Sequence, residues 1–124
     1  MKVKLALVPI QPKVGNHAIT PYGVVEVLGI LPEGGYKILS AKGSELNHYG
    51  TMYTMVGYNP DMEEEHQFIP VEPSQWRLLT KFIPRDHNNA MLPNLSHNGV
   101  PHNLPWTEAF LTPNGYVVYK RVEL

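Results

Sequence analysis

The first residues of the chain alternate between polar and apolar positions. Val3, Leu5 and Leu7 alternate with Lys2, Lys4 and Ala6. Side chains at every second position of a strand point to the same side of a sheet. The period therefore predicts a first β-strand with one face on an apolar core.

Further short apolar runs are bounded by glycine, proline and asparagine, which favour turns. Residues 22–31 are apolar on both faces except at Glu26, as expected of a central strand. The segment containing Pro70 suits an edge strand, because proline lacks a backbone donor. Asn114-Gly115 favours a tight hairpin turn near the end of the chain. These further strands are predicted over residues 22–31, 36–41, 50–58, 66–73, 108–112 and 116–124.

One segment, residues 74–83, has the spacing of a helix. Trp76, Leu79 and Ile83 fall at positions i, i+3 and i+7, and Pro84 enforces a stop. Together with about six or seven short strands, this predicts an α+β, mostly β domain. Its expected form is a small antiparallel sheet or an SH3-like, partly open barrel.

The composition is that of one folded domain, which we expect to cover residues 1–124. Hydrophobic residues make up 43% of the chain and charged residues 17%, which argues against a wholly disordered protein. Twelve prolines and ten glycines make long helices unfavourable. There is no cysteine, so disulfides and thiolate zinc sites are excluded.

Charge and hydropathy narrow the expected partners. Ten basic residues against eleven acidic residues give a net charge of −1, and the basic residues are scattered. Nucleic-acid binding is therefore not expected, because it needs a basic surface. No apolar run approaches the roughly 18 residues that a membrane-spanning helix needs, so a membrane partner is not expected either. The default expectation is a cytoplasmic protein.

Residues 84–106 form the most unusual segment. Prolines at positions 84, 93, 101 and 105 interrupt it, which predicts a long irregular loop. A loop this long in a compact domain is usually either functional or disordered. Its apolar residues predict packing onto the sheet, and its polar residues then form a candidate binding surface. The candidate residues are His87, Asn88, Asn89, Asn94, His97, Asn98, His102, Asn103 and Trp106.

The same loop supports an alternative hypothesis, a metal-dependent hydrolase or nuclease. Asp86, His87, His97 and His102 supply the carboxylate and imidazole groups that bind divalent metals. The order of Asp86-His87, Asn94 and a later histidine is similar to that of HNH nucleases. Asn94 follows His87 by only seven positions, which is too few for the hairpin of that motif. Histidine and asparagine are also ordinary loop residues, which is the simpler interpretation.

Two other groups of residues suit binding. Four acidic residues between Asp61 and Glu65, followed by His66, fit a hard cation, a basic partner or simply a solvated turn. Tyrosines are concentrated in residues 49–58 and 116–119, and tyrosine serves both cores and interfaces.

No catalytic signature is present in the sequence: the serines lack the G-x-S-x-G pattern, and no phosphate-binding glycine loop occurs. The leading hypothesis is a non-catalytic, β-rich binding protein without a cofactor. It would be an inhibitor or adaptor acting through protein–protein contact, of the kind that phages and mobile elements encode. A third hypothesis is a protein that binds or sequesters a small, nucleotide-like ligand between the loop and the sheet. Homo-oligomerisation is compatible with all three.

Overall fold

A computed structural model describes residues 1–121 of the chain. Within this part, nine strands form one antiparallel sheet, accompanied by one α-helix and two short 3-10 helices. The strands are β1 (Lys2–Ile10), β2 (His17–Thr20), β3 (Gly23–Ile30), β4 (Tyr36–Leu39), β5 (Glu45–His48), β6 (Met52–Tyr58), β7 (Phe68–Pro70), β8 (Thr107–Thr112) and β9 (Gly115–Lys120). The helix α1 spans Pro73–Leu79, and the 3-10 helices span Glu64–His66 and Thr80–Phe82.

The strands lie in the order β5-β4-β3-β2-β6-β1-β8-β9, and β7 pairs with β6 beside β2. Within residues 1–121 the end strands β5 and β9 do not pair with each other, so the sheet is open. The prediction of a mostly β domain with a small antiparallel sheet and one short helix is confirmed. Of the two forms expected, the protein adopts the open sheet.

The structure has more strands than the sequence predicted. The additional strands are β2 and β5, each four residues long, within segments that have the composition of turns. The predicted helix over residues 74–83 corresponds to α1 and the 3-10 helix that continues it, with Pro73 in the first turn. The predicted last strand, residues 116–124, corresponds to β9. Residues 122–124 lie outside the described part of the chain.

Two apolar clusters fill opposite faces of the sheet. Met52 and Tyr53 are adjacent in β6 but belong to different clusters, because successive side chains of a strand point to opposite sides. The smaller cluster consists of Ala18, Val25, Val27, Ile38 and Met52. The larger cluster joins the sheet to α1 and the long loop. It consists of Val3, Leu5, Leu7, Ile19, Tyr53, Met55, Val71, Trp76, Leu79, Ile83, Met91 and Ala109.

The long loop over residues 84–106 lies against β1, next to β8. The backbone N–H groups of Asn94 and Leu95 both donate to the Leu7 carbonyl, each at 3.2 Å. Leu7 lies two residues beyond Leu5, which pairs with the first residue of β8. The loop therefore covers the part of the β1 edge that β8 leaves free, and the Leu95 side chain is fully buried there.

Candidate binding face

The predicted loop residues do not form one surface. Seven side chains are exposed, Trp106 is half-buried and Asn94 is completely buried. The exposed residues are His87, Asn88, Asn89, His97, Asn98, His102 and Asn103.

Asn94 has a structural position that differs from the expected surface position. Its Oδ1 accepts a hydrogen bond from the Leu7 N–H at 3.3 Å, and its Nδ2 donates to the Pro105 carbonyl at 2.9 Å. The side-chain amide thus accepts one hydrogen bond and donates another, as a backbone peptide group does, and links β1 to the end of the loop. No hydrophobic period in the sequence indicates this role.

Five of the seven exposed loop residues sit on two separate tight turns, and His102 and Asn103 follow the second turn. In the first, one carboxylate oxygen of Asp86 accepts the backbone N–H groups of Asn88 at 2.8 Å and Ala90 at 2.9 Å. In the second, Ser96 Oγ accepts the backbone N–H groups of Asn98 and Val100. Short polar side chains commonly stabilise turns in this way. The two turns hold His87 and His97 in solvent.

The predicted metal ligands of the loop are not brought together. Among residues 1–121, the potential metal ligands that converge in a group of three lie instead on the acidic turn before β7. They are Glu63, Glu65 and His66, all exposed, with atoms within 4.8 Å of one another. The loop residues predicted to bind a metal, which do not form such a group, are Asp86, His87, His97 and His102.

A different surface gathers the exposed aromatic side chains. Pairing places Tyr58 opposite both Lys4 and Phe68, and Lys2 opposite Phe110. Directly opposite residues of paired strands lie on the same side of a sheet. We call this surface the aromatic face. It consists of Tyr58, Phe68, Trp106, Phe110 and Tyr119, together with Lys2 and Lys4.

The aromatic rings form two groups, the first stacked and the second tilted. Tyr58 stacks with Phe68 at a centroid distance of 5.0 Å and with Trp106 at 5.6 Å. Phe110 and Tyr119 form the second group, at 4.4 Å. Stacked pairs of this kind contribute about 0.5–1.5 kcal/mol beyond the area they bury. The rings are therefore held in place before any partner arrives.

Lysines are positioned over both groups of rings. Lys4 Nζ lies 5.7 Å from the centre of the Trp106 ring, and Lys2 Nζ lies 6.0 Å from that of Phe110. Such cation–π contacts keep the ammonium groups on the aromatic face. Phe68 is 40% exposed, Phe110 37% and Tyr119 44%, so much of the aromatic surface remains in contact with water.

A hollow of about 280 Å³ lies in the aromatic face, with lining residues from β1, β6, β8 and β9. Both signs of charge line it, since Asp61 and Glu108 join the two lysines. Desolvation and the neighbouring Glu108 carboxylate raise the pKa of Tyr119. Its hydroxyl therefore stays protonated at neutral pH and remains a hydrogen-bond donor.

The sequence did not identify this face. Its aromatic residues come from β6, β7, β8, β9 and the end of the loop, and the strand order that unites them is not encoded in any local pattern. Trp106 is the one residue of the face that was among the predicted binding residues. The sequence feature that pointed to this face was the pair Lys2 and Lys4, which predicted a solvent-exposed side of β1.

Comparison with protein-family models, with curated proteins and with solved structures found no match to this chain. Among residues 1–121, no helix has the length and apolar character needed to cross a membrane.

Proposed function

We propose that this chain is a non-catalytic binding protein, an inhibitor or adaptor, that contacts another protein through the aromatic face. The observation that supports the proposal is the collection of five aromatic side chains on one side of the sheet, three of them more than a third exposed. Grouped exposed apolar surface is unfavourable in water and marks interaction sites. Aromatic residues are also enriched at the centres of protein interfaces.

The arrangement of the rings favours a protein over a nucleic acid. Proteins that bind single strands present open ring faces on which bases stack. Here Tyr58 lies between Phe68 and Trp106, so its ring faces are already in contact with neighbours. Asp61 and Glu108 line the hollow with the lysines and reduce the positive potential that phosphate groups need.

The second loop turn borders the aromatic face and supplies a polar rim. A Cβ placed on Gly99 would lie 3.7 Å from Phe68 Cζ, which puts this turn beside the first stack. His97 and Asn98 are exposed on the same turn. An apolar centre with a polar border is the usual anatomy of a protein interface. These residues are thus the part of the predicted loop surface that joins the proposed site.

The test compares two matched variants in affinity capture from a native lysate. Phe110→Asp places a charge in the aromatic face, whereas Leu78→Asp makes a similar change at a 68% exposed position on α1. We expect one protein to be retained by the wild type and by Leu78→Asp, and lost with Phe110→Asp.

The affinity of the captured protein is then measured by calorimetry with purified components. Because aromatic residues at interface centres commonly contribute about 2 kcal/mol or more, Phe110→Asp should weaken binding by about 30-fold or more. Equal binding by the wild type and Phe110→Asp would refute the assignment of the site.

A further inference from the structure

The hollow in the aromatic face lies where the ends of several elements meet. Lys2 and Lys4 come from β1, Asp61 from the turn after β6, and Glu108 from β8. The volume of about 280 Å³ is just below the roughly 300–1,000 Å³ of pockets that bind drug-sized ligands. The hollow is therefore of a size for a small metabolite.

The charged groups that line the hollow are not paired with each other. Glu108 lies directly opposite Lys4 of β1 and, on its other side, opposite Lys120 of β9. Within residues 1–121 it nevertheless forms no ion pair with either lysine, and Asp61 forms none with any basic residue. The carboxylates and the ammonium groups along the hollow are thus available to a ligand.

Other contacts hold these charged groups apart. Lys4 Nζ lies 5.7 Å from the centre of the Trp106 ring, and Lys2 Nζ lies over the second group of rings. Glu108 lies beside the Tyr119 hydroxyl, since after desolvation, the larger cause, its carboxylate raises the pKa of that group. A ligand therefore meets charges of both signs that it need not separate first, and such preorganisation lowers the cost of binding.

We propose that this hollow binds a free α-amino acid with an apolar side chain. Such a molecule carries one ammonium and one carboxylate group, which match the two signs of charge around the hollow, and hydrogen bonds between charged groups are strong. Tyr58, Pro60 and Tyr119 also line the hollow and supply apolar surface for the side chain. A ligand of one sign would lie beside two groups of its own sign, which is unfavourable. The site is additional to the proposed protein contact.

An NMR titration of the purified, isotope-labelled chain tests the site. L-Leucine at millimolar concentration should shift the amide signals of residues 2–4, 58–61, 108 and 119. Leucinamide lacks the carboxylate and N-acetyl-leucine lacks the ammonium group, so they are matched single-charge probes. Because a hydrogen bond to a charged group contributes about ten-fold or more to affinity, each of them should bind about ten-fold or more weaker than L-leucine.

Variants of the lining residues assign the two charged ends of the ligand. Glu108→Gln should weaken the binding of L-leucine by about ten-fold or more without weakening that of N-acetyl-leucine. The double variant Lys2→Met with Lys4→Met should weaken the binding of L-leucine but not that of leucinamide. Glu45→Gln is the matched control, because Glu45 is exposed on β5 at the other end of the sheet. It should bind L-leucine like the wild type.

The proposal would be overturned if L-leucine shifted no amide signals or shifted only signals outside these residues. Equal affinities for L-leucine and both single-charge probes would also refute it. An equal loss of binding in Glu108→Gln and Glu45→Gln would contradict the assignment to the hollow. These outcomes need only the purified chain, so they do not depend on whether the aromatic face contacts another protein.

Discussion

Replacing Asn94 with alanine should destabilise the protein more than any other asparagine replacement in the loop. The side chain accepts from the Leu7 N–H and donates to the Pro105 carbonyl. Leu7 has no solvent exposure, so water cannot replace the lost acceptor. Leaving such a buried donor unpaired costs about 1–3 kcal/mol. Pro105 is exposed, and the loss of its hydrogen bond should add about 0.5–1.5 kcal/mol.

The sum is a loss of about 1.5–4.5 kcal/mol, a large part of the roughly 5–15 kcal/mol that stabilises a typical domain. Urea unfolding followed by tryptophan fluorescence measures the change, with Trp76 and Trp106 as reporters. Asn98→Ala is the control, because Asn98 is exposed on a turn and surface replacements usually change stability by less than about 0.5 kcal/mol. Equal stability of the two variants would refute the account of how the loop is held on β1.

Three further changes have defined outcomes. Trp76→Phe should lower the free energy of unfolding in urea by about 2–4 kcal/mol, because it leaves a cavity and removes the indole N–H that donates to the Val71 carbonyl at 2.8 Å. A loss below about 0.5 kcal/mol would contradict the buried contact. Gly115→Ala should cost about 1 kcal/mol or more in the same assay, because Gly115 has a φ of 115°, and an unchanged stability would refute that strain. Burial raises the pKa of Tyr53 and Tyr116 above the ordinary value of 10.0. The preference of the folded state for the protonated hydroxyls therefore contributes fully to stability below pH 10.0. This contribution is lost as the pH rises through the folded-state pKa. Tyr53→Phe should therefore reduce the fall in stability at alkaline pH, and an identical fall would contradict this assignment.

The fold was predictable where a segment carries its own pattern. Val3, Leu5 and Leu7 alternate in the sequence and are buried in β1, because a half-buried strand has a period of two. β2 and β5 were not predictable, since their four residues have no strong period and are held by pairing with neighbouring strands. Pairing across the sheet is a long-range property that a local pattern does not contain.

The candidate site was predictable only in part, for the same reason. The unusual composition of residues 84–106 located the loop correctly, but its predicted binding residues are spread over two turns, a buried amide and the segment that follows the second turn. The aromatic face depends on contacts such as Lys2 with Phe110, from opposite ends of the chain. Only the strand order brings those residues together.

The most direct test of the proposed function is hydrogen exchange of the wild-type chain with and without the captured partner protein. The proposal predicts slower exchange on binding for the amides of residues 56–58, 68–70 and 106–110 and for the turn at residues 96–100. Residues 73–79 of α1 and the strands β3 to β5 should exchange at unchanged rates. Protection confined to α1 or to β3–β5, with none on the aromatic face, would contradict the proposal.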